Sequence, residues 1–191
     1  MEKRKDFTSK DMATRIKEGM DKWEPFVISE LEKHNIIIKP SSGREDMLNK
    51  IDGWLNKEPV QIKIRNTSVK NRNDFSFELV QNFNPQISLR KLTNSIENKG
   101  RDWKCSAKHY FVLNKESNII YHLDGVKIKK EINLAIDEIE DEDFDLSEDS
   151  FVSEKSLEIK ATIDKDRNSH TPSKVMVFIP IKLVLINEYI I

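Results

Sequence analysis

The stretch Asn49 to Asn66, NKIDGWLNKEPVQIKIRN, constrains the fold more than any other part of the chain. Two short runs of alternating apolar residues flank Asn56-Lys57 and predict a hairpin centred on that pair. In that register Asp52 stands opposite Gln61, and Lys63 lies two residues along on the same face as Gln61. Ile62 and Ile64 point the other way. One strand therefore has an apolar side and a second side bearing an amide and a cation. A lysine at a sheet centre is costly unless it is paired. An acid, an amide oxygen and an ammonium thus converge on one spot.

Oxygen ligands suit Mg²⁺, which usually keeps several waters. A divalent cation between Asp52 and the Gln61 oxygen, joined by a backbone carbonyl such as that of Ile62, would organise the group. Lys63 would then orient a water at the cation or help to deprotonate it, while the cation offsets charge on a phosphodiester in the transition state. The chemistry this suggests is phosphodiester hydrolysis. A plainer reading stays open beside it. Asp52 before Gly53 is then a turn residue, and Gln61 and Lys63 form the solvent face of an amphipathic strand.

Around the hairpin, Met12, Ile16, Met20 and Trp23 have helical spacing and predict a helix over residues 8 to 23. Pro25 either kinks it or starts a second helix through Phe26, Val27 and Leu31 to about His34. IIIKP reads as a short buried strand, SSGRED as a loop and NDFSFELV as a further strand. ISLRKLTNSIENKG places Leu89, Leu92 and Ile96 on one helical face and stops at Gly100. KHYFVLN and NIIYHLDG predict two strands, and VKIKKEINLAIDEI reads as strand and then helix. LEIKATID and VMVFIPIKLVLI are strand candidates joined by a polar segment. The order predicts an α/β or α+β fold, a mixed sheet with flanking helices and additional C-terminal strands. Its expected divisions are a core over 1–136, an acidic linker or loop over 137–150, and strands over 151–191 that extend a sheet or make a dimer contact.

The pattern D-x8-Q-x-K on a strand pair resembles the PD-(D/E)XK nuclease superfamily, in the branch where glutamine replaces the acid of the second motif. The resemblance implies a restriction-endonuclease-like αβββαβ core, which fits residues 8 to about 123. It implies Asp52 as a metal ligand, Gln61 as the second-motif ligand and Lys63 as the catalytic lysine. The cofactor would be Mg²⁺, with Mn²⁺ as an alternative, and the substrate DNA. WEPFVISELEKHNIII is similar to the superfamily's first helix, where a glutamate precedes apolar positions. Glu24, Val27 and Leu31 share a helical face, which makes Glu24 the candidate helix-borne acid and Glu30 its rival. Duplex cleavage by enzymes with one site per chain often uses two copies, so a homodimer is a further expectation. The reading of a different class is a nucleic-acid-binding or protein-interaction module that keeps the fold without the activity.

Charge supports a polyanionic partner. Of the 32 Lys and Arg residues, 26 lie before residue 131, against 18 of the 33 Asp and Glu; the remainder of the chain holds 6 against 15. A positive first part suggests DNA, with Arg65, Lys70, Arg72 and Lys104 as candidate phosphate contacts. The alternative is that the basic and acidic surfaces attract one another. No apolar run approaches the roughly 18 residues of a membrane span. One cysteine, Cys105, excludes a disulfide framework and predicts a reducing, cytoplasmic setting. Asp164, Asp166 and Asn168 begin like a calcium loop, but Ser169 stands where its glycine is required. His109, His122 and His170 lack zinc-ligand spacing.

Overall fold

In the hairpin, Asn56 and Lys57 both have positive φ, 51° and 70°. This is the conformation of a two-residue type I′ connection, whose twist matches that of the strands it joins. It fixes the predicted register: Gly53 pairs with Val60 and Leu55 with Glu58. The structure is a computed structural model that describes residues 19–42, 51–65, 74–84, 86–141, 146, 150–163 and 172–191. Most of the helix expected from residue 8 and the SSGRED loop lie outside these residues.

A π-helical turn, Gly19–Trp23, leads into α1 (Glu24–Lys33), which has Pro25 in its first turn. Strands β1 (Lys39–Pro40), β2 (Gly53–Leu55), β3 (Glu58–Arg65), β5 (His109–Asn114), β6 (Ile119–Asp124) and β10 (Leu185–Ile190) form a six-stranded sheet in the order β1-β2-β3-β5-β6-β10. Its pairings are antiparallel except β3 with β5. A second, antiparallel sheet contains β4 (Asp74–Gln81), β7 (Phe151–Val152), β8 (Glu158–Ile163) and β9 (Pro172–Pro180), ordered β4-β9-β8-β7. The remaining helices are α2 (Leu89–Asn94), α3 (Arg101–Lys104), α4 (Gly125–Asp141) and α5 (Ile181–Val184). The fold is mixed α/β. Among the described residues no helix is long and apolar enough to cross a membrane.

The period of two divides the six-stranded sheet between two apolar clusters. Val60, Ile62, Phe111, Leu113 and Ile120 pack with Val27 and Leu31 of α1. Tyr110, Val112 and Leu123 face the larger cluster, which includes Ile128, Ile132 and Ile136 of α4 and Phe75, Phe77, Val175 and Val177 of the second sheet. Gln61 and Lys63 alternate with Val60 and Ile62, so they belong to this second side.

Several expectations need correction. NDFSFELV is a strand, but it pairs with β9 in the second sheet and not with the hairpin. VKIKKEINLAIDEI is helical throughout, because the Asp124 carboxylate accepts the N–H groups of Val126 and Lys127 and caps α4 at its start. Its apolar stripe continues through Ile136 and Ile139, so α4 runs past the boundary set at 136 and takes up the first residues of the acidic run. Leu146, further along that run, is buried in the larger cluster. The helix carrying Leu89 and Leu92 ends at Asn94, leaving Ile96 81% exposed. Pro180 ends β9, and α5 separates it from β10, so VMVFIPIKLVLI is two strands. The residues after 150 are divided between the sheets: β9 pairs with β4, and β10 extends the six-stranded sheet beside β6.

On the α1 side, His109 bridges Glu58 (2.8 Å) and His122 (3.0 Å), and His122 stacks on Phe111 with ring centroids 4.4 Å apart. Burial and the neighbouring His109 lower the pKa of His122 to about 4. The unfolded chain, with an ordinary histidine, binds the proton first as pH falls. Stability linked to His122 is therefore fully present above about pH 6.5 and is lost progressively towards pH 4. Its full extent is about 3 kcal/mol. Thermal melts of His122→Gln across this window are expected to show a flatter pH dependence than the wild type; an identical slope would remove His122 as its source.

Candidate active site

Asp52 leads directly into β2, and its backbone N–H donates to the Val60 carbonyl at 2.8 Å. This ladder contact brings its side chain to Gln61. Asp52 Oδ2 accepts from Gln61 Nε2 at 2.8 Å and from the Ile62 backbone N–H at 2.5 Å. Gln61 is buried, and its Oε1 accepts the Cys105 thiol proton at 3.1 Å. Burial is the main cause that raises the Cys105 pKa, so the thiol remains a donor at neutral pH. Tyr110 lies opposite Gln61 on the parallel neighbour β5. Its hydroxyl is fully buried and lies beside the Cys105 thiol. Burial is the main cause that raises its pKa, and the Asp102 and Asp52 carboxylates push in the same direction, so the phenol stays neutral.

Lys63 forms an ion pair with Asp102, a residue the sequence reading missed. The carboxylate of Asp102 is buried; Oδ1 takes the ammonium and Oδ2 accepts the Glu78 N–H at 2.8 Å. Lys63 Nζ also lies 5.5 Å from the centroid of the Phe75 ring. Glu78, on β4, accepts the Arg101 N–H at 2.9 Å and lies 3.5 Å from Lys174 Nζ. The only sequence signal for Asp102 was Gly100 just ahead of it. Aspartate in a polar stretch without periodicity reads as surface.

The expected residues thus divide. Asp52 is hydrogen-bonded to Gln61 and to the Ile62 N–H, while Lys63 leaves the same side of β3 as Gln61 and is directed to Asp102. Glu24 does not share that side, since α1 packs against the opposite face of the sheet. Glu30 pairs with Lys33. Arg65 ends β3, and Lys104 is exposed on α3. Lys70 and Arg72 lie outside the described residues. Arg90, from the basic first part, is committed to α4: it pairs with Asp137, and its N–H donates to Glu140.

Among the described residues, no three His, Cys, Asp or Glu side chains gather in a group that could hold a metal. A cation here would have one carboxylate, from Asp52, with neutral oxygens from the Gln61 amide and the Ile62 carbonyl. That donor set has the all-oxygen chemistry Mg²⁺ accepts, since Mg²⁺ commonly binds one or two carboxylates and keeps waters. It requires the Gln61 amide to turn over, because Nε2 now faces Asp52. Cys105 is compatible with both orientations, as a thiol donates to an amide oxygen and its sulfur accepts from an amide nitrogen. Comparison of the chain with protein-family models, curated proteins and solved structures finds no match.

Proposed function

We propose that the chain is a Mg²⁺-dependent deoxyribonuclease of the restriction-endonuclease-like kind, with Mn²⁺ as an alternative ion. The observation that carries this reading is the hydrogen bond between Asp52 and Gln61 across the hairpin, with Lys63 on the same side held by a buried acid. Bound Mg²⁺ would supply Lewis-acid stabilisation of the phosphodiester and a more acidic water. Asp52, the turned Gln61 amide and the Ile62 carbonyl would hold it. Lys63 is a quarter exposed, so its ammonium can meet a scissile phosphate while Asp102 holds it from behind. It would stabilise charge on the phosphate oxygens and orient the attacking water. Arg65 and Lys104 would contact the DNA backbone.

A module that binds nucleic acid without cutting it is the second reading, and one observation favours it: Gln61 offers Asp52 its nitrogen, which is no metal ligand. Calorimetric titration with Mg²⁺ and Mn²⁺ separates the two. Binding is expected; no binding of either ion would leave the non-cutting module.

Gln61→Glu sharpens this test. It sets a second carboxylate against Asp52 Oδ2, where Gln61 Nε2 now lies at 2.8 Å. Two like charges about 4 Å apart repel by about 4 kcal/mol at an effective dielectric of 20. A divalent cation relieves that repulsion, so metal affinity is expected to rise at least about tenfold. Metal-free Gln61→Glu should melt below the wild type. Equal metal affinity in Gln61→Glu, Gln61→Ala and wild type would show that Gln61 is no ligand.

A further inference from the structure

Asp102 stands on a single helical turn, yet its position is set more firmly than that of a residue on a free loop. Three backbone contacts seat residues 98–102 along the edge of β4 that β9 leaves open. Gln81 N–H donates to the Asn98 carbonyl (2.8 Å), Gly100 N–H to the Leu79 carbonyl (2.9 Å) and Glu78 N–H to Asp102 Oδ2 (2.8 Å). Arg101 N–H returns a fourth contact to the Glu78 carboxylate at 2.9 Å. The approach is close enough that a Cβ on Gly100 would lie 2.3 Å from the Glu78 carbonyl oxygen, a backbone atom with no room to move aside. Glycine is therefore required there. The carboxylate it delivers reaches from the second sheet's edge to Lys63 on the first sheet.

A buried carboxylate is tolerated only when paired and hydrogen-bonded, and each oxygen of Asp102 has one such partner. The acceptor for Lys63 is thus preformed, and a long flexible side chain that would otherwise sample many rotamers is directed to one place. We infer that Asp102 is a positioning residue for Lys63: an acid at the second sheet's edge that holds the ammonium on the side of β3 from which Gln61 projects. This inference rests on the nuclease reading for its catalytic meaning, while the pairing itself is testable without any reaction.

The experiment compares wild type with Asp102→Asn, whose amide oxygen still accepts the Glu78 N–H but whose charge is gone. Lysine modification by an amine-reactive reagent is followed by peptide mass spectrometry, with exposed Lys57 as internal reference, and plasmid cleavage is measured with Mg²⁺. In wild type Lys63 is expected to react more slowly than Lys57, and in Asp102→Asn the gap should narrow several-fold. In the variant kcat is expected to fall about tenfold or more, with KM for DNA unchanged, as for misplacement of a catalytic group. An acid that only stitches the sheets together would lower the melting temperature and leave kcat and Lys63 labelling as they were; that result overturns the proposal. Lys63 reacting as fast as Lys57 in wild type overturns it too, even if the variant does not fold. Wild type that cuts no DNA while Lys63 gains label in the variant overturns the nuclease reading and supports the pairing.

Discussion

Lys63→Gln is expected to lower Mg²⁺-dependent cleavage of plasmid DNA by about 10²- to 10⁴-fold, the range that charge-stabilising and acid-base groups supply. Glutamine is the informative substitution because of what stands behind Lys63. Lys63→Ala would remove the cation from Asp102 and leave a buried carboxylate with only the Glu78 N–H. Breaking a buried pair in this way costs about 3–5 kcal/mol, enough to confuse lost chemistry with lost fold. A glutamine amide can still donate to Asp102 Oδ1, so the melting temperature should fall less than in Lys63→Ala. Cleavage at the wild-type rate by a folded Lys63→Gln would remove Lys63 from the mechanism. Full cleavage by Lys63→Ala would do the same with greater force.

The hairpin was legible because its information is local. The Asn56-Lys57 connection and the alternation on either side fix a register, and a register fixes which side chains are opposed. Asp52 meeting Gln61 follows from counting. The partner of β4 was not legible, because alternation marks the face of a strand and says nothing about its neighbour. Phe75 and Phe77 have the same pattern whether β4 lies beside the hairpin or, as found, beside Val177 and Ile179 a hundred residues later. α4 was misread at its start for a local reason: Val126, Ile128 and the intervening Lys127 imitate a strand, while the cap at Asp124 carried the better signal.

Asp102 and Glu24 show two different limits of the same reading. Glu24 has the helical spacing of an inward-facing acid, and α1 does pack through Val27 and Leu31. Spacing on a helix cannot tell which face of a sheet the helix covers, and this one covers the face away from Gln61 and Lys63. Asp102 depends on an edge that exists only once β4 has joined the second sheet. The charge division had a similar outcome. Part of the excess of basic residues meets the acidic part of the same chain, as the ion pair of Arg90 with Asp137 demonstrates.

Phe77→Ala is expected to destabilise the chain by about 3–5 kcal/mol, the range for truncating a buried phenylalanine. Phe77 is fully buried, with ring centroids 6.2 Å from Phe75, 6.3 Å from Trp103 and 6.2 Å from Tyr110. It stands on the second sheet and touches Tyr110 of the first, so the void it leaves opens between the sheets. Against a total stability of about 5–15 kcal/mol, that loss is a large fraction. The loss should appear as one shift of one transition, because β9 pairs with β4 while β10, a few residues on, pairs with β6. Denaturant titration followed by tryptophan fluorescence, which reports Trp23, Trp54 and Trp103, and by far-ultraviolet circular dichroism checks this. Both probes should show the same lowered midpoint, since neither sheet keeps its packing when the other is lost. If circular dichroism reported an early transition while fluorescence kept the wild-type midpoint, the two sheets would be unfolding separately. The ion pair from Asp102 to Lys63 would then join two bodies, not hold a side chain within one core, and the fixed geometry required for its catalytic role would be lost with it.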